Sequence, residues 1–169
     1  KFSDNVAITT TEITVERNAE DYNSIRNLLS TLSPSYYNRY IVKVPKGRWF
    51  ECDLVGVRGS FDYLKIVGED MFETIIYCDG TSDKLTPIDY SVPGKGGQPL
   101  NSMSRIYKHC VNVLDDIQME GLTIEATNCK YCVHFDRAGV HKGKFVNCRF
   151  VSLEDTQQSF GIGLHNSQE

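Results

Sequence analysis

Tyr40-Ile-Val-Lys-Val-Pro-Lys-Gly-Arg-Trp-Phe-Glu-Cys-Asp-Leu54 is followed by Tyr63-Leu-Lys-Ile-Val-Gly-Glu-Asp70 and then by Thr74-Ile-Ile-Tyr-Cys-Asp-Gly80. These segments are short, rich in β-branched residues and separated by turn residues such as Pro45 and Gly68. No helical periodicity interrupts this alternation of strand and turn. The rhythm predicts an all-β chain that coils in flat turns of parallel strand.

A weak internal repeat supports the coiling. Met119-Glu-Gly-Leu-Thr-Ile124 and Phe145-Val-Asn-Cys-Arg-Phe150 share one apolar pattern. Tyr131-Cys-Val-His-Phe135 and Phe160-Gly-Ile-Gly-Leu164 are similar to each other and lie at nearly the same spacing. A period in the mid-twenties suits one coil of a solenoid.

The segment Val44-Pro-Lys-Gly-Arg-Trp-Phe-Glu51 resembles the opening of the right-handed parallel β-helix (pectate-lyase-like) superfamily. Asn128-Cys-Lys-Tyr-Cys-Val-His-Phe-Asp136, followed by Phe145-Val-Asn-Cys-Arg-Phe150, resembles bacteriophage tail fibre and tailspike β-helices within it. The resemblance covers about residues 15–80 and 111–168. It implies a right-handed single-stranded parallel β-helix that contacts long polysaccharides.

One amphipathic helix is predicted at about residues 20–32. Tyr22, Ile25 and Leu29 fall at helical spacing, Asn18 is the predicted N-cap, and Pro34 ends the element. Because the open end of a β-solenoid exposes its core and its unpaired strand edge, this helix is expected to cap the N-terminal end.

The predicted domain organisation is one β-helix domain over residues 1–169 with a long loop insertion at 81–109. That loop contains three of the five prolines, and long loops are often functional. Lys1 is not a start methionine, so we expect a fragment of a longer chain.

Composition limits the functional classes. The 169 residues are 40% hydrophobic and 24% charged, which is ordinary for a folded domain. A net charge of −4 without a long basic run argues against nucleic-acid binding. No apolar run approaches the ~20 residues of a membrane span, so no membrane partner is expected.

The six cysteines lie in or beside strand-like runs, where a thiol packs as a small hydrophobe. We therefore expect Cys52, Cys78, Cys132 and Cys148 to be buried, reduced and free of metal. The sequence also contains zinc-type ligands in one region: Cys129-Lys-Tyr-Cys132 with His134, His141 and Cys148. The continuing strand argues against a compact site, because alternate side chains point apart. No metal and no cofactor are expected.

The segment Phe145-Val-Asn-Cys-Arg-Phe-Val-Ser-Leu-Glu-Asp-Thr156 resembles half of a pectinesterase motif. By that resemblance, Asp155 is a candidate general acid and Glu154 stands where the family has an anion-hole glutamine. A carboxylate cannot donate to an oxyanion as an amide does, and the second aspartate of the motif would lie beyond residue 169. The alternative is a rung-corner turn, and we expect no strong catalytic activity.

Four further residues are candidates for substrate binding. Alternation in the strand predicts that His134 points outward, close to Asp136, where both are available for acid–base work. Trp49 belongs to an aromatic group near the cap, although core packing also explains it. Tyr90 lies in the long loop, which is expected to wall a groove.

The resemblance favours a structural and carbohydrate-binding segment of a phage tail fibre or tailspike. Its expected partners are a cell-surface polysaccharide, two further copies in a homotrimer and other virion tail proteins. Its expected location is the virion, after folding in the host cytoplasm. The alternatives are a polysaccharide lyase, glycoside hydrolase or pectinesterase-like esterase, and a bacterial surface adhesin, which would be secreted or on the cell surface.

Overall fold

The computed structural model describes residues 6–82, 84–85, 109–135, 142–153 and 160–164. They form twelve strands and one helix. The elements in chain order are β1 Thr9–Thr14, α1 Ser24–Ser30, β2 Asn38–Val44, β3 Gly47–Phe50, β4 Leu64–Gly68, β5 Thr74–Asp79, β6 His109–Val113, β7 Ile117–Glu120, β8 Thr123–Thr127, β9 Tyr131–Phe135, β10 Gly143–Val146, β11 Arg149–Leu153 and β12 Phe160–Leu164.

The strands stack into three sheets in which every described pairing is parallel. Sheet A has the order β1-β2-β4-β7-β10, sheet B the order β3-β5-β8-β11 and sheet C the order β6-β9-β12. After β1 and α1, the chain makes four coils: β2 with β3, β4 to β6, β7 to β9, and β10 to β12. The predicted parallel β-helix is confirmed.

The register confirms the internal repeat. Phe145 pairs with Met119, and Phe160 pairs with Tyr131, as the two pairs of segments predicted. The spacing is longer between coils 2 and 3, because Ile66 pairs with Met119 across the whole of the intervening chain. The extra chain joins β5 to β6, where the insertion was predicted, although most of the predicted loop lies outside the described residues.

The core is built from columns of apolar side chains that repeat from coil to coil. Val42, Ile66 and Met119 form one column under sheet A, and all three are at most 1% exposed. Trp49, Ile76 and Ile124 form another column under sheet B. Burying one such side chain contributes roughly 1.5–3 kcal/mol, so these columns stabilise the stack.

The helix is shorter than predicted, since α1 spans Ser24–Ser30 rather than 20–32. Asp21 and Asn23 have φ of 48° and 58°, in the left-handed region, so the right-handed helix cannot begin before Ser24. Asn18 is not the N-cap; its side chain instead bonds both the N–H and the carbonyl of Tyr22. Within the described part of the chain, no helix is long and apolar enough to cross a membrane.

The helix does cap the end of the solenoid. It packs against β3, the edge strand of sheet B, and the N–H of Asn23 donates to the carbonyl of Phe50 at 3.0 Å. Ile25 and Leu29 are buried in the core cluster. The helix therefore covers an otherwise unpaired edge, as the prediction required.

Glu51 holds the N-terminus of this helix. The N-cap residue Asn23 makes no side-chain capping bond, but Oε1 of Glu51 accepts the N–H of Ile25 at 2.6 Å. Burial raises the pKa of Glu51 to about 7, although the backbone N–H groups of Ile25 and Arg26 and the Arg26 charge oppose the shift. The glutamate that ends the Val44–Glu51 segment thus joins the first coil to its cap.

Single left-handed residues turn the corners between sheets A and B. Gly121 follows β7 with φ of 66°, and Asn147 occupies the same place one coil later with φ of 50°. Glycine and asparagine adopt this conformation more readily than other residues. This geometry explains why the sequence repeat contains Gly or Asn at its third position.

One expectation about the cysteines is wrong. Cys52 and Cys78 form a disulfide that joins coils 1 and 2, with the Cα atoms 4.8 Å apart. Stacked coils place side chains of one column at disulfide distance, so burial and pairing are compatible here. Cys132 is buried and Cys148 is half-buried, and neither is in a disulfide.

Candidate functional site

Tyrosine side chains form an exposed corner where α1 leads into β2. We call Tyr36, Tyr37 and Tyr63 the aromatic corner. Tyr36 is 52% exposed and Tyr37 is 47% exposed. The Tyr36 ring makes edge contacts with Tyr37 at 5.1 Å and with Tyr63 at 6.5 Å between centroids. The corner is formed by two successive turns of the chain, one before β2 and one before β4.

The backbone fixes the aromatic corner. Ser35 and Asn38 exchange backbone hydrogen bonds of 2.8 and 3.2 Å across the turn that carries Tyr36 and Tyr37. The N–H of Tyr40 donates to the carbonyl of Tyr63 at 2.8 Å, which ties the two turns together. Because these bonds already fix the backbone, binding at the corner does not need to order this segment of the chain.

Arg39 lies beside these rings. Its guanidinium carbon is 5.5 Å from the centroid of Tyr36, and its Nε donates to the Tyr36 carbonyl at 3.4 Å. Within the described part of the chain, no acidic group lies within ion-pair distance of Arg39. A guanidinium offers a planar fork of donors to a carboxylate or a hydroxyl pair.

The outer face of sheet A, which extends from the corner, carries paired charged side chains. Lys43 pairs with Glu12 at 3.7 Å, and Lys65 pairs with Glu120 at 3.0 Å. At the far ends of β1, β2 and β4 lies a shallow groove of about 410 Å³, lined by Thr14, Lys43, Val44, Pro45, Val67, Gly68 and Glu69. The face offers donors and acceptors along several parallel strands.

A second group of polar side chains lies where sheet C begins. Nδ1 of His109 is 2.7 Å from Oδ1 of Asp53, an ion pair when the imidazole is protonated. Burial favours a higher pKa for Asp53, but the adjacent His109 and Asn112 side chains and the charges of His109 and Arg26 hold that pKa below its ordinary value. Asp53 is therefore a carboxylate at neutral pH, able to orient the imidazole.

Aromatic rings extend this cluster along sheet C. The His134 ring stacks on His109 at 5.0 Å and on Tyr131 at 4.6 Å between centroids. Gly163 makes room for the stack, because a Cβ there would lie 2.3 Å from the Tyr131 ring. We call Asp53, His109, Asn112, Tyr131 and His134 the polar cluster.

The prediction that His134 points outward to solvent is wrong, since it is only 7% exposed. Four consecutive residues of β6, Cys110 to Val113, are buried, as are the three central residues of β9. Side chains on both faces of β6 and β9 are thus buried, and the alternation of residues does not predict which of them is exposed to solvent. His134 is held between rings rather than presented to a ligand.

Trp49 is also buried, at 4% exposure. Its Nε1 donates to the Pro45 carbonyl at 2.8 Å, and the Arg17 guanidinium carbon lies 4.2 Å from the ring centroid. This placement favours the core interpretation of Trp49 over sugar stacking. The other candidates, Tyr90, Asp136, Glu154 and Asp155, together with His141, lie outside the described residues.

The zinc-type motif forms no metal centre among the described side chains, where no group of three His, Cys, Asp or Glu is close enough to hold a metal ion. Cys132 instead contacts the carbonyl of Val151 at 3.1 Å, and Cys129 contacts Cys78. Burial raises the pKa of the Cys132 thiol to about 11. The thiolate that metal binding requires is therefore disfavoured.

Sequence reasoning missed Asp53, His109 and Asn112. Asp53 and His109 are far apart in the sequence, and they meet because Leu54 bridges to Val111 across the insertion. Only the register between coils brings them together. Asp53 sits at φ of 57°, and an aspartate three residues after the end of β3 is the one local signal of a corner.

Comparison with protein-family models, with curated proteins and with solved structures finds no match for this chain. The class of protein is therefore defined by its geometry, as a single-stranded parallel β-solenoid with an N-terminal helical cap. Two features distinguish it: the aromatic corner beside sheet A and the polar cluster of sheet C.

Proposed function

We propose that this chain is a structural and carbohydrate-binding β-helix segment of a bacteriophage tail fibre or tailspike, which recognises a polysaccharide on the host surface. The observation that carries the proposal is the aromatic corner, where tyrosine rings remain exposed next to the Arg39 guanidinium. Sequence resemblance to phage β-helices supports the assembly, with homotrimerisation and other virion tail proteins as expected partners.

The chemical groups of the aromatic corner match those of a sugar ring. A pyranose ring has an apolar face that packs on an aromatic ring and an equator of hydroxyls that need hydrogen bonds. Tyr36 and Tyr37 supply ring faces with phenolic hydroxyls, which combine an apolar body with a polar tip. Arg39 supplies the adjacent donors.

The surrounding surface suits a chain of sugars rather than one residue. On the outer face of sheet A, Lys43, Lys65 and Glu120 are half-exposed and place charged groups on three neighbouring strands. Several weak contacts along one rigid surface add through multivalency, so the total affinity exceeds that of one sugar. A solenoid provides such a surface because its strands are stacked in register.

Replacing both Tyr36 and Tyr37 by alanine should weaken binding of the recognised polysaccharide by at least about tenfold per ring, or about 1.4 kcal/mol each. Binding is measured by calorimetry, after a panel of purified capsular and O-antigen polysaccharides has identified the strongest ligand. The circular dichroism spectrum should not change, because both rings are exposed.

Phe72 provides the matched control. It is 61% exposed and lies on the turn between β4 and β5, away from the aromatic corner. Phe72→Ala should leave affinity unchanged. Equal losses in Phe72→Ala and in the double variant, or a panel with no binder at all, would count against glycan recognition at the corner.

A second candidate function is a polysaccharide-degrading enzyme, favoured by the 2.7 Å contact between Asp53 and His109. A carboxylate that orients an imidazole is a common acid–base arrangement. We nevertheless expect no turnover, because the pair is partly buried and the rings of His134 and Tyr131 occupy its flank. Release of reducing ends or unsaturated products that disappears in His109→Ala would make the enzyme the better proposal. Turnover lost in Asp155→Asn would favour the pectinesterase-like motif instead.

A further inference from the structure

Three cysteines form a column through the core, which we call the sulfur column: Cys52 in coil 1, Cys78 in coil 2 and Cys129 in coil 3. Each lies in or just after a strand of sheet B, and all three are fully buried. Cys52 and Cys78 share the disulfide, and Sγ of Cys129 lies 3.5 Å from Sγ of Cys78. A thiol is therefore in van der Waals contact with one end of a disulfide.

We propose that the disulfide migrates along the sulfur column by internal thiol–disulfide exchange. The thiolate of Cys129 attacks Sγ of Cys78, the bond between Cys78 and Cys52 breaks, and a bond between Cys78 and Cys129 forms. Cys52 leaves as a thiolate and takes up the proton that Cys129 lost. One disulfide is exchanged for another, so no external oxidant or reductant takes part.

The fold brings the reacting atoms together in advance. Cys78 is central to both pairings, and the stacked coils hold all three sulfurs in one column, so the exchange needs only small side-chain movements. Each product is a bond between adjacent coils, which is the spacing that the first disulfide already uses.

The Cys129 thiol also contacts the carbonyl of Thr127 at 3.2 Å. The thiol donates its hydrogen to this carbonyl while the core is closed. Exchange therefore takes place during transient opening and is slow compared with exchange between exposed thiols.

As a consequence, the disulfide cross-link between coils can occupy two positions. In one form the disulfide joins coils 1 and 2, next to the helical cap. In the other it joins coils 2 and 3, across the site where the chain between β5 and β6 is inserted. The same protein can thus be cross-linked either before the insertion, between coils 1 and 2, or across it, between coils 2 and 3.

The test maps disulfides in the whole oxidised protein. Free thiols are blocked with N-ethylmaleimide in acid, the protein is digested without reductant, and linked peptides are identified by mass spectrometry. We expect both the Cys52–Cys78 and the Cys78–Cys129 peptides in wild type, and loss of the second in Cys129→Ser. Wild-type protein that contains only the first peptide after long incubation at mildly alkaline pH would overturn the proposal.

Cysteine variants test the exchange independently of the mapping in wild type. Cys52→Ser, oxidised with glutathione disulfide, should convert to the Cys78–Cys129 form, whereas Cys78→Ser should form neither peptide. Cys148→Ser is the matched control, because Cys148 lies outside the column and contacts the Met119 carbonyl. Circular dichroism establishes that each variant is folded, and Cys52→Ala replaces Cys52→Ser if the serine variant does not fold. A folded Cys52 variant with no Cys78–Cys129 bond would contradict exchange.

Discussion

The free energy of unfolding should fall by about 3 kcal/mol as pH rises from 4.5 to about 8, and Glu51→Gln should remove most of this loss. The carboxyl of Glu51 has a pKa of about 7 in the folded protein against an ordinary value of 4.5, and burial is the main cause. Between these values the unfolded state releases its proton while the folded state keeps it. The contribution of Glu51 to stability is therefore greatest below pH 4.5 and is lost as pH rises through 7.

Urea denaturation of wild type and Glu51→Gln at several pH values between 4 and 8 measures this effect. Glutamine keeps an oxygen that accepts the N–H of Ile25, but it does not ionise, so its stability should vary less over this window. Glu16→Gln is the control, because Glu16 is exposed. Parallel stability curves for wild type and Glu51→Gln would show that Glu51 does not titrate with a raised pKa.

The same residue shows what a sequence pattern can and cannot predict. The turn and strand chemistry from Tyr40 to Glu51 is local, and it predicted β2, β3 and the coil that they begin. The role of Glu51 as the acceptor for the N–H of Ile25, in a helix that precedes the first coil, is not local. Only the packing of α1 on β3 shows why an acidic residue is buried there.

The errors at His134 and at the disulfide have related physical causes. Period-2 alternation assigns successive side chains to opposite faces of the sheet. The side chains of one face are exposed to solvent only when that face is uncovered. Sheet C is covered on both faces, so His134 is buried. Likewise, strand context predicted burial of Cys52 and Cys78, but whether two thiols bond depends on the distance between coils, which the register sets.

Coils 2 and 3 approach each other closely at Gly68, the last residue of β4. A Cβ at this position would lie 2.4 Å from the carbonyl oxygen of Gly121 and 2.7 Å from Cβ of Leu122. Neither atom can move easily, because the first belongs to the backbone of the corner and the second to a fully buried core residue. Coils 2 and 3 approach this closely only because residue 68 has no side chain.

Gly68→Ala should therefore lower the free energy of unfolding by about 3 kcal/mol, the upper part of the range for overpacked cores. Thermal and urea unfolding of the purified variant measure the loss. Gly161→Ala is the matched control, since a Cβ there would meet no atom within 4 Å, and it should be neutral or slightly stabilising. If the two alanine variants unfold with the same free energy, the coils have room to separate at Gly68, and the tight stacking of coils 2 and 3 does not depend on this glycine.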